Sequence, residues 1–291
     1  MSGFDAAWLA LREPHDHAAR SADLAGRFAA ALARPSLIDL GCGTGSNLRY
    51  LVPRIHGPQR WLCVDHDPAL LDAARATLTD WGTARGWPRR RDDDLLTFAR
   101  SDGEIVVGFA LADLTRDGLP DRSNIGGLTG SALLDLTSAA WLTDLASWSW
   151  QIPVLMALCF DGRLAFEPEA AEDRTVRERF VAHQRSDKGF GPALGPDAAG
   201  YLAARLAARG CEIALEPTDW RLGPEDRPLL AAMLEGIVGA AREIARDPGL
   251  ERWAGLRRQQ LAAGDLRLTV GHLDLLALPA EVATSAGRAL F

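Results

Sequence analysis

The order of apolar runs along this chain predicts an α/β fold, a three-layer sandwich with helices on both faces of a mostly parallel sheet. Two observations predict it. Short apolar runs bounded by turns alternate with helical stretches, as right-handed βαβ units require. The first of these runs ends in a glycine-rich turn that opens a helix. Length and composition agree: 291 residues, 47% hydrophobic and 24% charged, suffice for a sizeable core and are ordinary for a globular protein. They exclude a disordered chain, a fibrous protein and a disulfide miniprotein.

In order, 5–11 and 16–32 read as N-terminal helices, alanine-rich with apolar residues at helical spacing. Residues 36–40 (SLIDL) form a short strand, and 46–52 begin a helix. Residues 60–64 are a second strand, ending at Asp65. Residues 68–85 are a helix with Pro68 in its first turn, a favoured place for proline. Residues 104–112 are a third strand. A fourth lies within 125–134, followed by a helix over 136–148 and a fifth strand over 153–160. Residues 166–200 are long, polar and Gly/Pro-rich near their end. A helix over 196–208 is closed by Gly210. Then come a strand over 211–216, a mostly helical stretch over 229–263 and a long last strand over 266–278. One domain with insertions accounts for this order: 1–35 as an N-terminal helical cap, 36–165 as the core, 166–200 as a substrate or lid segment, and 201–291 as a C-terminal part with a helical insertion at 227–264.

The net charge is -7, whereas a nucleic-acid binder carries a basic face. The basic cluster at 85–91 (RGWPRRR) runs straight into Asp92, Asp93 and Asp94, and reads as a self-neutralised helix end or turn. Four scattered cysteines, Cys42, Cys63, Cys159 and Cys211, form no CxxC pair. This points to a reducing, cytoplasmic compartment without structural zinc, and gives Cys42 no redox partner. The start of the chain lacks the basic region of a signal peptide, and its apolar run breaks at Arg12. The longest apolar stretch, 152–160, contains Pro153 and falls short of the ~20 residues that span a bilayer. Among 32 Lys+Arg residues the single lysine is Lys188.

The strongest signal is 37–47, LIDLGCGTGSN. Asp39 stands near the strand end, and Gly41, Gly43 and Gly45 precede the helix. Glycines there adopt positive φ and let the backbone approach a ligand closely, while the helix start offers free N–H groups. This segment resembles the E/D-x-G-x-G-x-G motif of the class I S-adenosylmethionine (SAM)-dependent methyltransferases. The resemblance implies a Rossmann-like seven-stranded sheet with an antiparallel last strand, and SAM as the cofactor. It implies that the loop, with Cys42 and Asn47, wraps the methionine part and that Asp39 acts on its amino group. Asp65, 20 residues beyond Gly45, matches the acid that accepts both ribose hydroxyls, with His66 beside it. Asp113 and the Leu114 amide match the adenine position. Ser131, in SALLD, falls where the family lines the transfer site. A nicotinamide site would need G-x-G-x-x-G, and Ser46 occupies the third glycine's place.

Methyl transfer is an in-line displacement, so positioning dominates and a base is needed only when the nucleophile keeps its proton. Asp135, His183 and Lys188 are the candidate catalytic residues. Arg12, Arg185 and Lys188 are candidates for binding an acidic substrate group, and Arg12 and Arg20 together for the methionine carboxylate or such a group. Trp141, Trp148, Trp150 and Trp220 are candidate pocket aromatics. His15 and His17 lie too far apart on a helix for a metal pair. The expected partner is a small-molecule substrate, with no nucleic acid, no membrane, and a monomer or homodimer. The alternatives are a protein- or RNA-directed methyltransferase and a non-catalytic SAM-binding protein.

Overall fold

The computed structural model describes residues 5–91 and 95–280. Helix α1 (Ala6–Ala19) starts at Asp5, whose carboxylate accepts the Trp8 amide, and α2 (Ala22–Ala31) starts at Ser21, whose hydroxyl accepts the Leu24 amide. The expected break before residue 16 is absent, and Pro14 lies inside α1. Side chains on either side of the proline hold the turn: Arg12 chelates Asp16, and Glu13 pairs with Arg49.

The core begins with β1 (Ser36–Leu40), α3 (Ser46–Leu51), β2 (Gln59–Asp65) and α4 (Pro68–Ala84). Then come β3 (Arg89–Arg91), β4 (Leu95–Arg100), β5 (Gly103–Leu111), β6 (Gly127–Ser131) and α5 (Ala139–Ser149). The second half holds β7 (Val154–Glu167), α6 (Asp173–Gln184), α7 (Ala198–Ala207), β8 (Glu212–Pro217) and β9 (Trp220–Leu222). The chain closes with α8 (Arg227–Ile244), α9 (Pro248–Ala263) and β10 (Arg267–Leu278). Among the described residues the strands form one ten-stranded sheet in the order β3-β4-β5-β2-β1-β6-β7-β10-β8, with β9 on β10.

Strands β5, β2, β1, β6 and β7 run parallel, and β10 is antiparallel to both β7 and β8. These are the seven strands the sequence predicts, in a Rossmann-like doubly wound order. Strands β1 and β6 are buried along nearly their whole length, as expected where helices cover both faces. The winding reverses between β1 and β6. In open α/β sheets that switch point is where a ligand crevice opens, outside the carboxyl ends of the strands.

Three strands exceed the expected seven. The β3–β4 hairpin extends the sheet antiparallel to β5, so Arg89–Arg91 is a strand and not a helix end or turn. A charged edge strand resists further pairing, which hides its strand character behind a polar composition. Asp92, Asp93 and Asp94 lie outside the described residues. The third addition, β9, pairs with β10 at Trp220↔Val270.

Strands β7 and β10 run past the core as a paired ribbon, to Glu167↔Arg267. A separate apolar cluster forms on it, with Phe160, Phe166, Trp220, Leu230, Trp253 and Val270. Helix α6, within the segment whose sequence reads only as long and polar, covers part of it with Val176, Phe180 and Val181. That apolar stripe is too narrow to reveal an amphipathic helix. Helices α8 and α9 fill the predicted insertion. Arg257 of α9 is fully buried and donates to the Pro168 carbonyl at 2.6 Å, to Gln260 at 2.8 Å and to Asp173. Asp173 also accepts the Trp253 indole N–H at 2.7 Å. Replacing Arg257 with Met removes the buried partner of Asp173. The expected cost is about 3 kcal/mol, read as a lower urea midpoint at unchanged slope. An unchanged midpoint would show that the pair does not anchor α9.

Candidate functional site

The turn after β1 is built for close approach. Gly41, Gly43 and Gly45 have φ of 63°, 52° and 79°, the left-handed region that favours glycine. A Cβ on Gly43 would lie 2.9 Å from Leu9 Cδ1, and one on Gly41 3.3 Å from Leu133 Cδ1. Helix α1 and the segment after β6 therefore close on the turn from two sides. His17 Nε2 reaches Ser46 Oγ at 3.0 Å, and Arg49 donates to the Thr44 carbonyl at 2.7 Å.

Below the turn lies a buried polar chain. Asn47 Nδ2 donates to Asp39 Oδ1 at 2.7 Å and to Thr129 Oγ1 at 3.0 Å. Arg20 Nη1 donates to Asn47 Oδ1 at 2.7 Å, and its guanidinium stacks 4.0 Å over the Tyr50 ring. Asp39 Oδ2, Arg20 Nε and Arg20 Nη2 are buried and have no hydrogen-bond partner among the described residues. Burial pushes the Asp39 carboxyl up to about 7 against the pull of Asn47 and Arg20, and it lowers the Arg20 guanidinium. Buried polar groups are normally satisfied; here Asp39 Oδ2 and Arg20 Nη2 on one relay lack hydrogen-bond partners, while Arg20 Nε lies 4.0 Å from the Asp274 carboxylate.

Asp65, at the end of β2, ties the turn down. Its Oδ2 accepts the Gly43 amide at 2.8 Å and its Oδ1 the Asp67 amide at 3.0 Å. Each oxygen retains a lone pair, since a carboxylate offers about four acceptor sites. His66 is exposed, with Nδ1 3.4 Å from Asp65 Oδ1. Asp113 follows β5 and is brought beside Asp65 through the Ala112 amide, which donates to the Asp65 carbonyl at 3.0 Å. Its Oδ1 accepts the Thr115 hydroxyl at 2.6 Å and amide at 2.9 Å, bonds that hold its carboxyl below the usual range. Leu114 is buried, and its carbonyl accepts the Trp141 indole N–H at 3.3 Å. Ser131 ends β6 beside Ala132, a non-glycine residue at φ 51°. Cys42 packs in the same buried cluster as Cys63. The neighbouring Cys63 thiol and burial push the Cys42 thiol up, and both cysteines are free.

A second polar cluster adjoins the first. Arg12 stands one turn beyond Leu9 on α1, on the same helix face. It chelates Asp16 at 2.9 and 3.1 Å and stacks 4.8 Å from the Trp220 centroid. Trp220 meets the His272 ring edge-on at 5.1 Å. Asp135 sits in the turn Leu134–Leu136, two residues past the Leu133 that packs on Gly41. Burial pushes Asp135 up to about 6, and His272 down to about 3. Asp135 Oδ1, Trp220 Nε1 and His272 Nδ1 are buried and unpartnered among the described residues. His272 is the member that sequence reading missed. Its signal was Gly271, since a lone glycine inside a strand pattern suggests a bulge; the β10 register shifts between Val270 and His272.

The other candidates gather elsewhere. His183 Nε2 lies 3.1 Å from Glu243 on α8, and Lys188 Nζ lies 3.4 Å from His183 Nδ1; burial lowers the Lys188 ammonium. Arg185 pairs with Asp197 at 2.8 Å. The glycine-rich stretch after Lys188 is a tight turn, with Asp187 Oδ1 accepting the Gly189 and Gly191 amides. Phe190 packs edge-on against Trp141 at 5.2 Å. Trp148 donates to the Pro120 carbonyl at 2.8 Å, and Trp150 is exposed. His15 faces Asp226 at 3.7 Å and His17 faces Ser46, so the two diverge. No group of three metal-ligating side chains occurs among the described residues, and no helix there is long and apolar enough to cross a membrane.

No family model and no curated protein matches this chain in sequence. Solved structures do match in overall chain course. The YcgJ protein of Bacillus subtilis aligns over 85% of this chain and 93% of its own, with TM-score 0.45 and 12% identity. Geranyl diphosphate C-methyltransferase of Streptomyces coelicolor, solved with S-adenosyl-L-homocysteine, covers 89% and 78% with TM-score 0.42 and 12% identity. The cyclopropane synthase MmaA2 of Mycobacterium tuberculosis covers 88% and 82% with TM-score 0.43 and 12% identity. At these values the likeness is one of general architecture, and the chemistry rests on the residues of the site.

The Asp39 carboxyl has a pH signature. Its folded value of about 7 lies above the ordinary 3.8. The folded state therefore binds the proton more tightly, and stability falls as pH rises from about 4 to about 7. Asp39→Asn keeps an acceptor for Asn47 and removes the titration. The variant should gain stability over the parent progressively across that window, by a few kcal/mol (~1.4 per pH unit), in urea unfolding at stepped pH. A difference that stays flat with pH would refute the assignment.

Proposed function

We propose that this protein is a SAM-dependent methyltransferase acting on a small molecule. The observation that carries the reading is the pairing of two unsatisfied buried atoms, Asp39 Oδ2 and Arg20 Nη2, on one hydrogen-bonded relay under the left-handed glycine turn. An amino-acid head group has the complementary chemistry: its ammonium donates to Asp39 and its carboxylate accepts from Arg20. These residues fit the methionine end of SAM. Asp65, with acceptor capacity left on both oxygens, suits two vicinal ribose hydroxyls. Asp113 and Leu114 stand next along the strand edge, where the adenine follows.

Bound SAM supplies an electrophilic methyl group on a sulfonium. The chain's own task is then to fix the cofactor and present the acceptor in line. The glycine turn and Asp65 hold one end, and α1, laid over the turn through Leu9 and His17, excludes water. The overall charge of -7 and the covering helix favour a small acceptor over a nucleic acid.

Calorimetric titration with SAM, S-adenosylhomocysteine (SAH) and NAD(H) tests the reading. SAM and SAH should bind in the micromolar range. Asp65→Ala should weaken both tenfold or more, about 1.4 kcal/mol, and Gly43→Ala, which puts a Cβ against Leu9, should do at least as much. Binding of NAD(H) alone, or of none of the three, would overturn it.

A further inference from the structure

We propose that Asp135, His272 and Trp220, beside Arg12, form the acceptor subsite of this protein, and that it takes an amine. The proposal deepens the methyltransferase reading and rests on it for the word acceptor; the amine preference stands on the subsite's own chemistry.

Four elements converge there. Arg12 comes from α1, Asp135 from the turn after β6, Trp220 from β9 and His272 from β10. The cluster borders the glycine turn on two sides, because Arg12 follows Leu9 and Asp135 follows Leu133, the two residues that pack on Gly43 and Gly41. Three buried polar atoms, Asp135 Oδ1, His272 Nδ1 and Trp220 Nε1, have no partner among the described residues. Leaving such atoms unpaired is unfavourable, and a bound polar molecule offers the missing partners.

The charges choose the molecule. Arg12 is chelated by Asp16, so its cation is already matched. The Asp135 carboxylate feels Arg12 and the Phe160 amide, and its Oδ1 has no partner among the described residues. His272 is held neutral by burial, which lowers its ring to about 3, and its Nδ1 has no partner among the described residues. The free Asp135 Oδ1 is an anionic acceptor, which asks for a donor that carries positive charge and several N–H bonds. An ammonium or amine supplies them, an alcohol supplies one, and a carboxylate supplies none. The walls are aromatic, with Trp220 against His272 and Phe160 edge-on to Phe180 at 5.5 Å. Phe160 is the register partner of His272. Non-glycine residues in left-handed conformation, Ala132 just after β6 and Leu158 within β7, lie beneath; such strain collects where a binding geometry is fixed.

The test uses three probes of one shape, benzylamine, benzyl alcohol and benzoate, titrated by calorimetry at pH 7.5 into the full chain saturated with SAH. Benzylamine should bind at least tenfold tighter than either analogue. Asp135→Asn should weaken benzylamine tenfold or more and erase the preference over the alcohol, and His272→Phe should weaken it severalfold; both should leave SAH affinity unchanged. Preference for benzoate, equal binding of the three, or no binding by any would overturn the proposal, and the wild-type ranking alone decides it even where a variant fails to fold. If SAH does not bind, the probes are titrated without it: an amine preference then keeps the subsite and removes the methyltransferase reading, while SAH binding without an amine preference does the reverse.

Discussion

The arrangement of this molecule depends on one buried guanidinium. Arg20 stands at the elbow between α1 and α2, fully enclosed, and a buried cation is tolerated only with partners around it. Asn47 and, through it, Asp39 face it from one side. Asp274 of β10 lies 4.0 Å away on the other. Asp274 in turn accepts the Ser21 amide, the Leu158 amide and the Thr218 hydroxyl. One charge thus binds the N-terminal helices to β1, α3 and β10 at once. It fixes α1 over the glycine turn, and the Leu158 bond to Asp274 holds a residue that would not take φ 53° unaided.

The second constraint is the antiparallel insertion of β10. Here β7 and β10 continue as a ribbon, and β9 pairs with its far end. The bulge at Gly271 brings the backbone close to Asp161, where a Cβ would lie 2.1 Å from Oδ1. Bulges re-aim the side chains beside them, and this one sets His272 against Trp220. The helices α6, α8 and α9 then seal the ribbon from outside. A site with a glycine floor and an aromatic side wall follows from these connections.

Local chemistry was legible in the order of residues; distant encounters were not. The glycine turn, Asp39 and Asp65 could be read because a left-handed turn between a strand and a helix demands glycine, and because the acids sit at strand ends. The seven core strands could be read because burial on both faces makes continuous apolar runs. The β3–β4 hairpin escaped because arginines on an exposed edge resemble a turn, and α6 because its apolar face is one narrow stripe. Lys188 and His183 stood out in the sequence, yet they face Glu243 on α8.

The sequence by itself determined the fold class, the floor of the site and the cofactor chemistry that the floor suggests, since each depends on neighbours a few residues apart. Only the tertiary structure decided which side chains enclose that floor. Arg20 and Asp274 are far apart along the chain, as are Arg12, Asp135, Trp220 and His272. Such groups meet because burial forces charges and polar atoms to find partners wherever the packed elements bring them, and no periodicity in the chain encodes that meeting.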